Sequence, residues 1–150
     1  MAFHADLALG QRYEKIALDM LGHGDVELAP SDRAFSDWDF RHGGRAYEVK
    51  SDRQGHRTGN LCFEFEHTGI PSGISITKAD EWIYFVLRPG SAGNAGHDCY
   101  KIPIEKIREV CGVPGTRQWY TDGGNSRFYL VPASRFSDYR FNGNASTPHA

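Results

Sequence analysis

Asp39, Glu48 and Lys50 are the residues whose types and spacing are best suited to chemistry, and Glu48-Val49-Lys50 sets a carboxylate and an ammonium two residues apart. Hard divalent cations such as Mg²⁺ take oxygen ligands, usually one or two carboxylates completed by water and substrate phosphate. Asp39 and Glu48 meet that demand, and the Val49 carbonyl offers a third oxygen. A cation held there would activate water toward a phosphodiester, with Lys50 orienting that water or stabilising charge on the phosphate oxygens. Mn²⁺ is expected to substitute for Mg²⁺, since both suit the same oxygen donors.

A hairpin must bring these groups together. Two-residue hairpin loops favour glycine because the primed turns need positive φ, so Gly43-Gly44 is the turn and His42 faces Arg45 across it. Counting outward pairs Asp39 with Glu48 and Asp37 with Lys50. Side chains alternate with a period of two, so Asp37, Asp39, Glu48 and Lys50 share one face and Trp38, Phe40, Tyr47 and Val49 the other. Either aspartate has the right face for a metal. Asp39 is preferred because it stands opposite Glu48, which leaves Asp37 as an ion-pair partner for Lys50.

Upstream, Leu9, Tyr13, Ile16, Ala17, Met20 and Leu21 recur at helical spacing and predict a helix over 7–21, stopped by Gly22 and Gly24. Glu14 lies at the rim of its apolar stripe, within reach of a site the helix packs beside. Val26–Ala29 reads as a short strand and Gly55–Gly59 as a loop. Asn60–Glu66 alternates Leu61, Phe63 and Phe65 against Asn60, Cys62, Glu64 and Glu66, a half-acidic strand expected beside the hairpin. Gly69–Gly73 is a loop, Ser75–Asp80 a helix start, Trp82–Leu87 an interior strand and Arg88–Gly96 an exposed loop. Ile104–Cys111 has helical periodicity up to Gly112, and Phe128–Val131 is strand-like.

At 150 residues and 39% hydrophobic, the chain is long enough for one domain with a real core, expected over 1–140, with 141–150 as a flexible polar tail. A net charge of -2 argues against a uniformly basic coat, so any polyanion must be met by a local patch. Cys62, Cys99 and Cys111 form an odd set without metal-ligand spacing, which suits reduced thiols in a cytoplasm. No basic segment precedes an apolar h-region, and no apolar run nears the roughly 20 residues of a membrane helix. The expectation is a soluble intracellular protein without a membrane partner.

Asp39 with Glu48-Val49-Lys50 resembles the signature of the PD-(D/E)XK nuclease superfamily, an acid on one strand and Glu or Asp, any residue, then Lys on the next. Glu14 in Gly10-Gln11-Arg12-Tyr13-Glu14 matches the Glu that the superfamily often carries on the preceding helix. The correspondence covers about residues 10–87. It implies a mixed α/β (α+β) restriction-endonuclease-like fold: an αβββαβ core whose mixed central sheet is flanked by helices. It also implies a Mg²⁺-dependent deoxyribonuclease with Glu14, Asp39, Glu48 and Lys50 as catalytic residues. Trp38 stands where the signature nominally has proline. The stretches Thr58-Gly59-Asn60-Leu61 to Glu64 and Pro71-Ser72-Gly73-Ile74 to Asp80 resemble phage-type, bacterial and Holliday-junction-resolvase-like nucleases. That finer likeness implies branched or structured DNA as substrate, in recombination, repair or phage DNA processing. Lys78, Thr77, Ser72 and Asn60 are then the candidates for contacting substrate, and a homodimer would suit cutting of both strands.

Plainer roles compete with each of these. A Glu-x-Lys triplet on a hairpin is usually a solvated pair, and Glu14 can be an exposed helix charge. Glu64 and Glu66 read as ordinary strand residues, and Trp82, Tyr84, Phe63 and Phe65 as core. The competing function is a catalytically inactive nucleic-acid-binding or assembly module of the same fold, which would bind DNA in a salt-sensitive way without cutting it.

Overall fold

A computed structural model describes residues 2–22, 24–31, 35, 37–89 and 96–142. The first helix, α1 (Ala2–Leu21), begins ahead of the predicted Leu7, since Ala2 and Ala5 are strong helix formers that need no apolar stripe. It stops at Gly22, whose N–H closes on the Leu18 and Asp19 carbonyls. The strands that follow are β1 (Val26–Leu28), β2 (Phe40–His42), β3 (Arg45–Asp52), β4 (Asn60–His67), β5 (Ile70–Pro71), β6 (Glu81–Leu87), β7 (His97–Pro103), β8 (Gln118–Thr121) and β9 (Ser126–Pro132). Between them lie α2 (Gly55–Thr58), α3 (Ile104–Cys111) and short 3-10 turns.

Two sheets form. The larger is mixed, in the order β1-β2-β3-β6-β7, and the smaller is β5-β4-β9-β8. β3 and β6 run parallel, and the crossover between them passes through β4 and β5, which therefore lie in the second sheet. Chain order is thus as expected up to β4, but that strand does not lie beside the hairpin. The mixed α/β class read from the sequence holds.

The hairpin turn is as expected. Gly43 and Gly44 have φ of 57° and 85°, and the ladder pairs His42 with Arg45, Arg41 with Ala46 and Phe40 with Tyr47. β6 is buried along nearly its whole length because both faces of its sheet are covered. On one face Tyr13 and Ala17 of α1 pack with Phe40, Tyr47, Ile83, Phe85 and Cys99. On the other, Trp82, Tyr84, Val86 and Ile102 meet Leu61, Phe63 and Val131 of the second sheet and Ile107 of α3. Each of the larger side chains so buried contributes roughly 1.5–3 kcal/mol relative to exposure.

Several elements depart from expectation. Gly55–Thr58 is a one-turn helix instead of a loop, closed by the Gly59 N–H on the Gly55 carbonyl. The helix expected at Ser75–Asp80 is a 3-10 turn at Gly73–Ser75. Gly73 is required there, with φ of 52° and an added Cβ only 2.1 Å from the Glu64 carbonyl oxygen. Strands β5, β7 and β8 were not expected, and β5 falls inside the expected Gly69–Gly73 loop, where Ile70 and Pro71 pair with His67 and Glu66. Residues 90–95 of the expected Arg88–Gly96 loop, and 143–150 of the expected tail, lie outside the described residues. Phe141, the first residue of that tail, is tied down by its N–H on the Cys99 carbonyl. Among the described residues, no helix is long and apolar enough to cross a membrane.

Candidate active site

The difference in length between β2 and β3 creates the site. β2 covers only three residues of a strand that runs for eight, so the β2 side of β3 is left open beyond Tyr47. Asp39 sits at that boundary. Its N–H donates to the Tyr47 carbonyl at 2.8 Å, and its Oδ2 accepts the Val49 N–H at 2.7 Å. A side chain therefore stands in for the missing strand. Residues along a strand bond alternately to either side, so the Val49 carbonyl is turned toward the same open edge as its N–H.

The register sets Glu48, Lys50 and Asp52 beside Trp82, Tyr84 and Val86 on one face of the sheet. Lys50 Nζ lies 3.2 Å from Glu48 Oε2, and 5.4 Å from the centre of the Trp82 ring. The Lys50 side chain keeps 44% of its exposure and Glu48 only 17%. From α1, the half-buried Glu14 carboxylate comes close enough to feel both Asp39 and Glu48. The four residues Glu14, Asp39, Glu48 and Lys50 are thus brought into one cluster.

Acids crowd around Lys50 here. Burial, assisted by the charges on Asp39 and Glu48, pushes the Glu14 carboxyl up to about 7. Burial also raises Asp39 above the ordinary carboxylate range, against the pull of the Val49 N–H and of Lys50. Glu48 is raised by burial and by Asp39, with Lys50 opposing. Desolvation works to lower the Lys50 value, but Glu48, Asp39 and Glu64 outweigh it and hold it above that of an ordinary lysine. The acids are held in a place that disfavours their charge, and added positive charge would relieve them.

Asp37 is elsewhere. The chain leaves the ladder at Asp39, so Asp37 is not opposite Lys50, and its carbonyl accepts the Lys78 N–H at 3.0 Å and the Thr77 hydroxyl at 3.4 Å. Trp38 departs with it, packing into the cluster around the second sheet instead of beside Phe40. Lys50 pairs with Glu48, not with Asp37.

The four expected substrate contacts scatter. Thr77 is buried, with its hydroxyl also accepting the Ala79 N–H at 3.2 Å. Lys78 is exposed on the same loop. Ser72 donates to Glu64 Oε2 at 2.7 Å, holding an acid that lines the Lys50 cleft. Asn60 lines a second, adjoining cleft. Glu66 is engaged by Arg127 at 3.6 Å, away from the cluster.

Two participants escaped the sequence reading. Tyr84 donates its hydroxyl to Asp52 Oδ2 at 2.5 Å and accepts the Cys62 N–H at 2.8 Å, so it ties the two sheets together at the floor of the cleft. Asp52 Oδ1 accepts the Gln54 and Gly55 N–H groups at 2.7 and 2.9 Å, which starts α2. Asp52 was within reach of the period-two pattern Glu48-Lys50-Asp52. Tyr84 was not, because its role depends on β6 lying next to β3.

Among the described residues, no group of three or more His, Cys, Asp or Glu side chains could hold a metal ion as it stands. The donors present nevertheless suit Mg²⁺, which is satisfied by one or two carboxylates with water and phosphate oxygens. Asp39 and Glu48, with the Val49 carbonyl, are the residues that would hold it, and Asp39 Oδ1 is the oxygen not given to Val49. Set against known proteins, the chain matches no family model, no curated protein and no solved structure.

Proposed function

We propose that this chain is a Mg²⁺-dependent deoxyribonuclease of the PD-(D/E)XK kind, with Asp39, Glu48 and the Val49 carbonyl around the cation and Lys50 and Glu14 beside it. The observation that carries the reading is the crowding of acids on the open edge of β3, where Lys50 answers Glu48, Asp39 and Glu64 while Asp39 and Glu48 further raise the Glu14 carboxyl. A bound divalent cation would supply Lewis acidity toward the phosphate and lower the pKa of water. Lys50, held charged and part-exposed, is suited to meet negative charge developing on a phosphate or to orient an attacking water. Glu14, with its carboxyl near 7, can hold or pass a proton at neutral pH. Asp39 occupies the Val49 N–H where β2 ends, which fixes the β3 backbone beside Glu48 and Lys50. Branched or structured DNA, met in recombination, repair or phage DNA processing, is the proposed substrate.

One observation favours the second reading, an inactive nucleic-acid-binding or assembly module. Asp39 and Glu48 already have partners in Val49 and Lys50, so the cluster is satisfied in part without a metal. Incubation with linear, single-stranded and junction DNA in Mg²⁺ or Mn²⁺ separates the two. Cleavage by the wild type should fall at least about a hundredfold in Glu48→Ala and in Lys50→Ala. Equal cleavage by all three proteins would overturn the assignment, and metal-independent, salt-sensitive binding without cleavage would favour the module.

A further inference from the structure

The Lys50 cleft does not end at Lys50. A cavity of about 390 Å³ containing Lys50, Glu64, Tyr84 and Phe128 shares Asp52 and Cys62 with a second of about 710 Å³, lined by Gln54, Arg57, Asn60, Arg117 and Trp119. The two adjoin along these residues as one groove running from Lys50 to the edge of the second sheet. Along it lies a single row of that sheet: Glu64 of β4 pairs with Phe128 of β9, which pairs with Trp119 of β8. With strands about 4.8 Å apart, the row spans about 10 Å, the reach of one or two nucleotides.

Its chemistry is that of a stacking platform with cationic walls. Trp119 is 49% exposed on an edge strand and leans on Phe128 with ring centres 5.7 Å apart. Arg57 donates to the neutral Gln54 amide, and among the described residues no carboxylate is paired with Arg57 or Arg117. The acid that both cavities share, Asp52, is already engaged by the Tyr84 hydroxyl and two backbone N–H groups. Arg57 and Arg117 outnumber it, so the Trp119 end of the groove is locally cationic in a chain of net charge -2. A duplex hides its base faces, whereas an unpaired strand offers faces to an aromatic ring and phosphates to arginines.

We infer that this groove binds a single-stranded DNA segment, with bases on Trp119 and Phe128 and phosphates at Arg57 and Arg117. Where it leads into the acid cluster, it would deliver the phosphate at the end of an unpaired flank to Lys50. That last step rests on the nuclease reading; the binding does not.

The test measures binding apart from cleavage. The full chain is titrated in EDTA against a fluorescent twelve-nucleotide oligo-dT and a blunt duplex, read by anisotropy. Trp119→Ala should weaken oligo-dT binding about fivefold to a hundredfold. Arg57→Ala/Arg117→Ala, which removes only exposed side chains, should weaken it too and reduce its salt dependence. Blunt-duplex binding should change little in either variant. Trp119→Phe, which keeps a stacking ring, should recover part of the loss. Wild-type affinity in both variants, no preference of the wild type for oligo-dT over blunt duplex, or a wild-type dimer that Trp119→Ala turns into monomers would each overturn the proposal. Because binding is read in EDTA with no cleavage step, loss of the nuclease reading leaves this measurement intact.

Discussion

Glu81 and Glu48 stand at neighbouring positions of the β3–β6 ladder, Glu81 opposite Tyr47 and Glu48 opposite Trp82, and the protein treats them in opposite ways. Glu81, on the α1 face, has Lys101 at 2.7 Å and Arg45 at 3.7 Å. Two cations serve one buried acid. Glu48, on the other face, has Lys50 at 3.2 Å but shares it with Asp39 and Glu64. The residue types are the same and the sheet is the same; only the ratio of charges differs. The charge of Glu81 is neutralised within the fold, whereas the cluster around Glu48 stays short of positive charge.

If that contrast is right, removing a charge should act with opposite sign at the two places. Lys101→Ala strips a largely buried carboxylate of its near partner and should cost on the order of 2 kcal/mol, reduced from the fully buried case because Lys101 is 28% exposed. Asp39→Asn keeps an oxygen for the Val49 N–H while removing one of the crowded negative charges, and should raise stability in the absence of divalent cations. Urea denaturation of both variants in EDTA checks the pair. A destabilised Asp39→Asn would mean that the cluster is a structural network like the Glu81 one.

How much of this was visible in the sequence follows from the range of the interactions involved. The turn at Gly43-Gly44, and with it the pairing of Phe40 with Tyr47, is local and was legible from two glycines and alternating side chains. The stripe of α1 and the placement of Glu14 at its rim were legible from helical periodicity alone. Asp37 was misplaced because the register was extended past the point where β2 ends; beyond it the Asp37 carbonyl bonds to the distant Thr77-Lys78 loop, a contact that local alternation does not reveal. β4 was read correctly as a half-buried strand, but period two does not reveal which sheet a strand joins. β8 was missed because its exposed residues carry no alternation in burial, and for the same reason Trp119 gave no sign of facing a groove.

The second consequence concerns pH. The folded state holds the Glu14 carboxyl at about 7 against an ordinary 4.5, so it binds protons more readily than the unfolded chain does between those values. The stability linked to this group is therefore fully present below about pH 4.5 and is lost as pH rises through about 7. Asp39 and Glu48, also raised, act in the same direction. Discounted for the half-exposure of Glu14, its share is about 1 kcal/mol. Melting temperature followed across this range in EDTA should decline, Glu14→Gln should flatten the decline, and Mg²⁺ should offset it in the wild type. A profile unchanged by both would remove the charge imbalance from the explanation.

Arg45 provides the finest distinction. It reaches Glu81 at 3.7 Å from a side chain that is 56% exposed, a long contact in high dielectric, and such pairs are worth about 0–1 kcal/mol. Arg45→Ala should accordingly cost well under what Lys101→Ala does, and the loss should shrink further in salt. The measurement matters because Lys50 is also part-exposed, yet answers Glu48, Asp39 and Glu64. If Arg45→Ala were as costly as Lys101→Ala, the second cation at Glu81 would be indispensable and the balance there would have no surplus. A small cost instead means that Glu81 is satisfied by Lys101 alone, which makes the shortage around Lys50 a property of its three surrounding acids and not of its exposure.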